Sequence, residues 1–492
     1  MPTQVNAALA LLERRSTFWL VAALIALLFA TANLPWTLDD YDQAKQAFTS
    51  FEMVNDGHWL YQHTPNEKIA TKPPLVGWIS AATYGVARNW EIAWRLPSIV
   101  AAIALAVLMT RAAANAYGAA AGLIALSAFG LNMLSPRLAT LVRTDMPLAL
   151  AVFLLGLRIW SKIRSAEPWN GGDRLMMFSA LTAAMLIKGP IVYAFLLPGI
   201  VALAWWNRGR KSAPGPWCGW WPWIVSLAVF LAWAAAGIKW MPGFYEEVVL
   251  REFAGRFSET VHRPQPFSFY LPHVLHKFAP WSLLGVALAI IGWRTSKSAV
   301  EVRPRLSTDM AWLFCWSFGG LLVMSLIPSK RVDRIFPIVP PLCLLVAAGV
   351  AQLSQIVPRL RHWTVIALVC ACVLTTGYAA QRVVVSYRAG DAGLVEFGAE
   401  VRCQAAERGW RYEVIGGPEE GLLLYLRRTH FLKSDEAITR WNAGLLDALV
   451  APADKLPSLL NQLPGARASE LNGAITINNR QRRYVFLTRS LP

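Results

Sequence analysis

Apolar residues in this 492-residue chain come in long unbroken runs separated by short polar and basic stretches. Strict alternation, the mark of half-buried strands, is confined to the C-terminal fifth. A helix needs roughly 20 apolar residues to cross the hydrocarbon of a bilayer. Eleven segments approach that length, near 18–35, 95–112, 118–136, 146–162, 174–189, 190–207, 217–240, 279–295, 309–327, 335–354 and 363–381. Continuous runs favour helices over a membrane barrel, whose strands alternate. The pattern predicts a mainly α, polytopic transmembrane helical bundle of about 11 spans. The run 75–88 is short, aromatic and contains Gly77 and Gly85, and reads as a helix lying in the membrane interface.

From about Val383 onward polar residues interleave with strand-like runs at Tyr412–Ile415, Ala448–Val450 and Tyr484–Thr488, with a short helix at Pro457–Leu463 that places its proline in the first turn. This predicts a small soluble α/β domain. The expected division is a transmembrane module over 1–382, with outer loops at 36–94 and 240–278, followed by the domain 383–492.

Charge sets the orientation. Lys and Arg number 47 against 30 Asp and Glu, a formal net charge of +17. The basic residues have no reading helix or tail around them, which argues against nucleic acid as a partner. With the N-terminus inside, Arg111, Arg158-Lys162-Arg164, Arg208-Arg210-Lys211, Arg294-Lys297-Arg303-Arg305 and Arg359-Arg361 all become cytoplasmic, as the positive-inside bias requires. Counting 75–88 as a span reverses every later loop. The first apolar run, following Arg14 and Arg15, reads as an uncleaved signal anchor. The six cysteines include no CxxC pair and read as packing residues.

This orientation puts the loop from Leu38 to Leu75, the turn 141–145, the loop 240–278 and the stretch 329–334 outside. The first loop opens with Asp39, Asp40 and Asp42 and closes with Lys72-Pro73-Pro74. Carboxylates crowded beside a span are costly unless a cation, water or reacting group uses them. The alternative is helix capping, with Asp39 at the N-cap and Asp40 and Asp42 favouring the dipole. Asp145, between Arg143 and Pro147, has the same two readings. Lys72, held by its prolines, and Lys188, at the outer end of a span, read either as phosphate or carboxylate partners or as snorkelling lysines. Arg143, Arg256, His262, Lys330 and Arg331 are basic groups on the outer side, where orientation does not favour them, so a phosphate-bearing lipid is the natural ligand. His58, His63 and His262 could meet a metal together with a carboxylate, but no spacing supports that strongly, and they read as solvated loop residues. No Walker loop or GxGxxG motif is present.

Several stretches, taken in order, resemble one known group: LDDYD, GHWLYQH…TKPPLVGW, AWRLPS, LVRTDMPL, LIKGP, REFAGRF…HRPQPFSFYLP and PSKRVDRIFPIVPP. They are similar to membrane glycosyltransferases of the GT-C fold, specifically the bacterial aminoarabinose lipid A transferase branch, related to protein O-mannosyltransferases. The resemblance covers roughly residues 15–355. It implies transfer of a sugar from a polyprenyl-phosphate donor to an outer-leaflet acceptor. It matches Asp39 and Asp145 to the two acidic positions and Lys72 to the lysine of an EKPP motif. Thr71 stands where the branch carries a metal-associated glutamate, so no cofactor is assigned outright and a divalent metal stays the alternative. Ile335-Phe336 stand where the family shows a tyrosine after the basic pair, and that phosphate contact is not carried over.

The resulting expectation is an inverting glycosyltransferase of a bacterial inner membrane, with its active site and C-terminal domain periplasmic. Asp39 and Asp145 are the catalytic candidates, and Lys72, Lys330, Arg331 and Arg256 the donor-phosphate clamp. Asp40, Arg143, Lys188 and His262 are acceptor or supporting candidates. The partners are the lipid-linked donor, membrane lipids and an envelope lipid or glycan. Rival readings are transfer to protein Ser/Thr, a lipid transporter or flippase, and a non-catalytic assembly protein. Scarcity of acidic residues within the spans weighs against transport.

Overall fold

The computed structural model describes residues 10–38, 40–208, 215–256, 264–297, 307–390, 393–417, 419–477 and 480–489. Asp39 and His262 lie outside the described residues, and of Arg256 only the backbone is described. The chain divides into two compact units, one of residues 1–32 and 96–380, the other of residues 33–95 and 381–492.

In the first unit each predicted segment holds a helix. Six helices are long and apolar enough to cross a membrane: Trp90–Tyr117, Asp145–Ser165, Trp221–Trp240, Thr308–Leu326, Val332–Leu353 and Leu360–Ala389. A seventh follows if Phe267–Lys277 and Trp281–Thr295, bent by 106°, count as one. Arg15–Thr31, Ala119–Gly130 and Ile191–Trp206 are apolar but shorter, as is the interfacial candidate Leu75–Ala87. Six or seven of the eleven expected segments thus meet a strict test of length and composition among the described residues. One cause is visible at Asn132, whose Oδ1 accepts from the backbone N–H of Leu134 and Ser135, both at 2.9 Å. That local bonding ends the run 118–136 early, at Gly130.

Small residues let these helices approach closely. Trp312 and Trp316 stack with ring centroids 5.7 Å apart, and Trp316 stacks on Phe153 at 5.9 Å. A side chain at Gly156 would run into the Trp316 indole, and one at Gly199 into the Trp316 backbone. Trp312 Nε1 donates to the Gly156 carbonyl at 3.1 Å. Glycine notches thus replace the hydrophobic effect as the organiser of packing in lipid.

The second unit holds the hairpin β1 (His63–Thr64) and β2 (Lys68–Ile69) and a four-stranded sheet made of β3 (Tyr412–Val414), β4 (Ala448–Pro452), β5 (Ala466–Ile477) and β6 (Arg480–Arg489). The sheet order is β3-β4-β6-β5, with β3 and β4 parallel and the other pairs antiparallel. The helix expected at Pro457–Leu463 is found at Leu456–Gln462 with its proline in the first turn. Trp441, Leu449, Leu459 and Leu487 share one core on this sheet. The loop 36–94, expected to belong to the transmembrane module, packs here. Leu38 N–H donates to the Tyr425 hydroxyl at 3.0 Å, and the Asn66 amide bonds both the carbonyl and the N–H of Phe431, at 3.0 and 3.2 Å.

Candidate functional site

The charged residues of the first unit meet where three segments end. The helix Asp145–Ser165 begins there, preceded by a turn that Ser98 fixes by donating to the Leu141 carbonyl at 2.7 Å. The helix Gly171–Lys188 stops at Gly189, whose φ of +75° reverses the chain at small cost only without a Cβ. The stretch 329–334 is carried by a 3₁₀ turn, Val332–Ile338, anchored through fully buried Ile335 and Phe336.

Asp145, expected either as an N-cap or as a chemical group, is the first helical residue and Thr144 the cap, so its side chain is not a cap. It is 5% exposed, and Lys188 Nζ lies 2.5 Å from its Oδ1. Arg143 Nη1 lies 2.5 Å from Asp333 Oδ2, and Arg331 Nη2 stands 3.4 Å from the same oxygen. Asp333 also feels the charge of Lys188, so the two ion pairs form one network. Pairing of this kind holds buried charges in fixed geometry.

Lys330 makes a contact that its sequence position does not announce. It is 9% exposed and donates to the Gln265 carbonyl at 2.9 Å, tying the loop 240–278 to the stretch 329–334. Burial pulls its ammonium below the usual lysine range. Arg334, not singled out from sequence, donates to the carbonyl and the hydroxyl of Ser329 at 2.8 and 2.9 Å. Lys188, Ser329 and Arg334 line a cavity of about 560 Å³ whose remaining walls, including Ile191, Val323 and Leu326, are largely apolar. Such a cavity suits a molecule with a hydrocarbon body and an anionic head.

In the second unit Asp40, not Asp39, is the N-cap of the helix Tyr41–Asp56, accepting from Asp42 N–H at 3.0 Å. Lys72 is half-buried in the turn before the helix Leu75–Ala87. Thr71 beside it offers a hydroxyl and no carboxylate, so this position does not fit the metal-associated glutamate of the resembling branch. His63 is buried and not solvated, and stacks edge-on against half-buried His58 at 4.2 Å between centroids.

No protein-family model matches the chain. It is 28% identical over 356 residues to "Undecaprenyl phosphate-alpha-4-amino-4-deoxy-L-arabinose arabinosyl transferase 1" of Sodalis glossinidius, covering 68% of this chain and 60% of that protein. The transferase of the same name, without the final numeral, from Erwinia tasmaniensis is 24% identical over 62% of this chain and 54% of its own length. The chain therefore spans less than two thirds of the length of these relatives. The crystal structure of ArnT from Cupriavidus metallidurans bound to undecaprenyl phosphate superposes with a TM-score of 0.66 at 17% identity, over 95% of this chain and 97% of that one. The chain has this GT-C type of fold, a multi-span helical membrane architecture.

Proposed function

We propose that the protein is a glycosyltransferase that moves a sugar from a polyprenyl-phosphate carrier to an envelope lipid or glycan on the periplasmic face of a bacterial inner membrane. The observation that carries this reading is the apolar cavity of about 560 Å³ closed by Lys188, Ser329 and Arg334. An isoprenoid chain is satisfied by the walls and its phosphate by the two cations and the hydroxyl. The names of the curated relatives support undecaprenyl phosphate as the carrier and a 4-amino-4-deoxyarabinose as the sugar. Lipid A is the favoured acceptor, through the motif resemblance.

The leaving phosphate needs its charge held more than it needs a proton, which is the work of fixed cations. Lys188 and Arg334 take this role in the first unit, and Lys72 takes it by resemblance. Lys330 gives one of its three N–H donors to the Gln265 carbonyl and so also holds the loop. Asp145 is committed to Lys188 and positions it, which leaves the general-base role to Asp39.

The test is transfer by purified protein in liposomes, with undecaprenyl-phosphate-linked aminoarabinose as donor and lipid A as acceptor, read by mass spectrometry. The expected product is lipid A heavier by one pentosamine residue, lost in Asp39→Asn and Lys72→Ala. Wild-type protein that transfers nothing to lipid A or to extracted envelope glycolipids, or variants that transfer normally, overturns the proposal.

A further inference from the structure

The helix Tyr41–Asp56 ends at Gly57, whose φ of +85° is open to glycine and strained for other residues. The chain turns back there and sets His58 Nδ1 against Glu52 Oε1. Five residues later His63 opens β1, with its Nδ1 3.6 Å from the same oxygen. One ligand atom from each of the three side chains falls within 4.8 Å of the others, the one such group among the described residues.

Burial makes the arrangement costly as it stands. Glu52 and His63 are 3% and 5% exposed. Glu52 Oε2 and His63 Nδ1 have no hydrogen-bond partner, even though polar partners are a few ångströms away. A proton shared between His58 and Glu52 satisfies one carboxylate oxygen only. The other oxygen and the second imidazole remain unsatisfied, at about 1–3 kcal/mol for each such group. One cation satisfies all three side chains at once.

We propose that Glu52, His58 and His63 bind one divalent transition-metal ion of the zinc class. In a tetrahedral site with bonds near 2.0–2.2 Å, ligand atoms stand roughly 3.4 Å apart. The 3.6 Å between His63 Nδ1 and Glu52 Oε1 is already that spacing. His58 has to swing outward from Glu52, and it is the ligand with room to do so, its side chain being 42% exposed. Two imidazoles and one carboxylate select zinc over calcium or magnesium, which take oxygen ligands. Three protein ligands leave a fourth position for water, on the open side next to His58. The ion fastens β1 to the helix whose N-terminus is capped by Asp40. This site is distinct from Thr71 and independent of the assignment of the cavity.

The test uses the full chain purified in detergent without a polyhistidine tag, stripped with chelator and then equilibrated with zinc chloride. Metal analysis is expected to find about one zinc per chain, and cobalt(II) substitution to give the visible absorption of a tetrahedral site. Glu52→Gln and His63→Ala are expected to lose the ion. His58→Ala, at the half-exposed ligand, is expected to fold normally and to lose at least about tenfold in affinity, since even outer-shell changes cost that much. At the same low zinc concentration the thermal midpoint of the wild type rises by more than that of His58→Ala. A wild-type chain that takes up no more zinc than His58→Ala, or whose midpoint zinc leaves unmoved, overturns the proposal.

Discussion

Lys188 reaches Asp145 from the last turn of one helix to the first turn of another, with Nζ 2.5 Å from Oδ1 and both side chains nearly sealed from solvent. Breaking a buried ion pair by removing one partner costs about 3–5 kcal/mol, because the other charge is left alone. Lys188→Met and Asp145→Asn are each expected to lower the thermal midpoint and to reduce transfer to background. The double variant is expected to regain most of the stability and none of the transfer. Unfolding in detergent beside a transfer assay separates the two effects, and recovery of transfer in the double variant would make the pair purely structural.

Arg334 and Lys330 give a second contrast. Arg334 lines the cavity whereas Lys330 holds a carbonyl of the neighbouring loop. Arg334→Ala is expected to weaken binding of undecaprenyl phosphate by roughly tenfold to a hundredfold, the worth of one charge-assisted hydrogen bond. Lys330→Ala is expected to loosen the loop and lower the melting temperature, with a much smaller effect on binding. Lipid-phosphate titration by tryptophan fluorescence measures both, and equal losses would argue against the division of roles.

Glu420 predicts a pH dependence. Burial, with a smaller push from Glu419, moves its carboxyl from 4.5 up to about 7, against the pull of its own backbone N–H and of Lys45. Between these values the folded state holds a proton that the unfolded state has released. Stability therefore falls as pH rises from about 4.5 to 7 and levels off above, by at most about 3 kcal/mol. Glu420→Gln is expected to match the wild type at pH 4.5 and to exceed it at pH 8. Melting curves across this range test the sign.

Gly156 predicts a packing limit. A methyl group there meets the Trp316 indole, which is fully buried and stacked on both sides. Gly156→Ala is expected to cost about 1–3 kcal/mol by overpacking, and Gly156→Leu to abolish folded protein in detergent. Size-exclusion chromatography of the solubilised chain gives the readout.

How much of this was legible in the residues varies by length scale. Asp145 and Lys188 stood out because each ends a predicted helix, but that they pair could only come from the fold. Asp333 and Arg334 sit inside the motif PSKRVDRIFPIVPP just before a predicted span, but where they point is set by the 3₁₀ turn Val332–Ile338, which the residue pattern does not reveal. Lys330 reads as a phosphate ligand from charge alone, and its burial and its bond to the Gln265 carbonyl come only from the fold. β5 was missed because a register shift between Ala468 and Asn472 breaks the period of two along it. The Glu52, His58 and His63 group had a signal, a carboxylate and two histidines flanking a glycine turn, but only the turn's geometry brings them together.

The Asn66 clasp on Phe431 has a consequence for biosynthesis. The partners lie 365 residues apart in the chain. At roughly 5–20 residues per second, a ribosome needs on the order of twenty seconds to a minute to supply the second after making the first. Throughout that interval Leu38 and the helix that follows it wait without their packing surface. A nascent chain arrested before Phe431 therefore leaves the Asn66 amide without this partner.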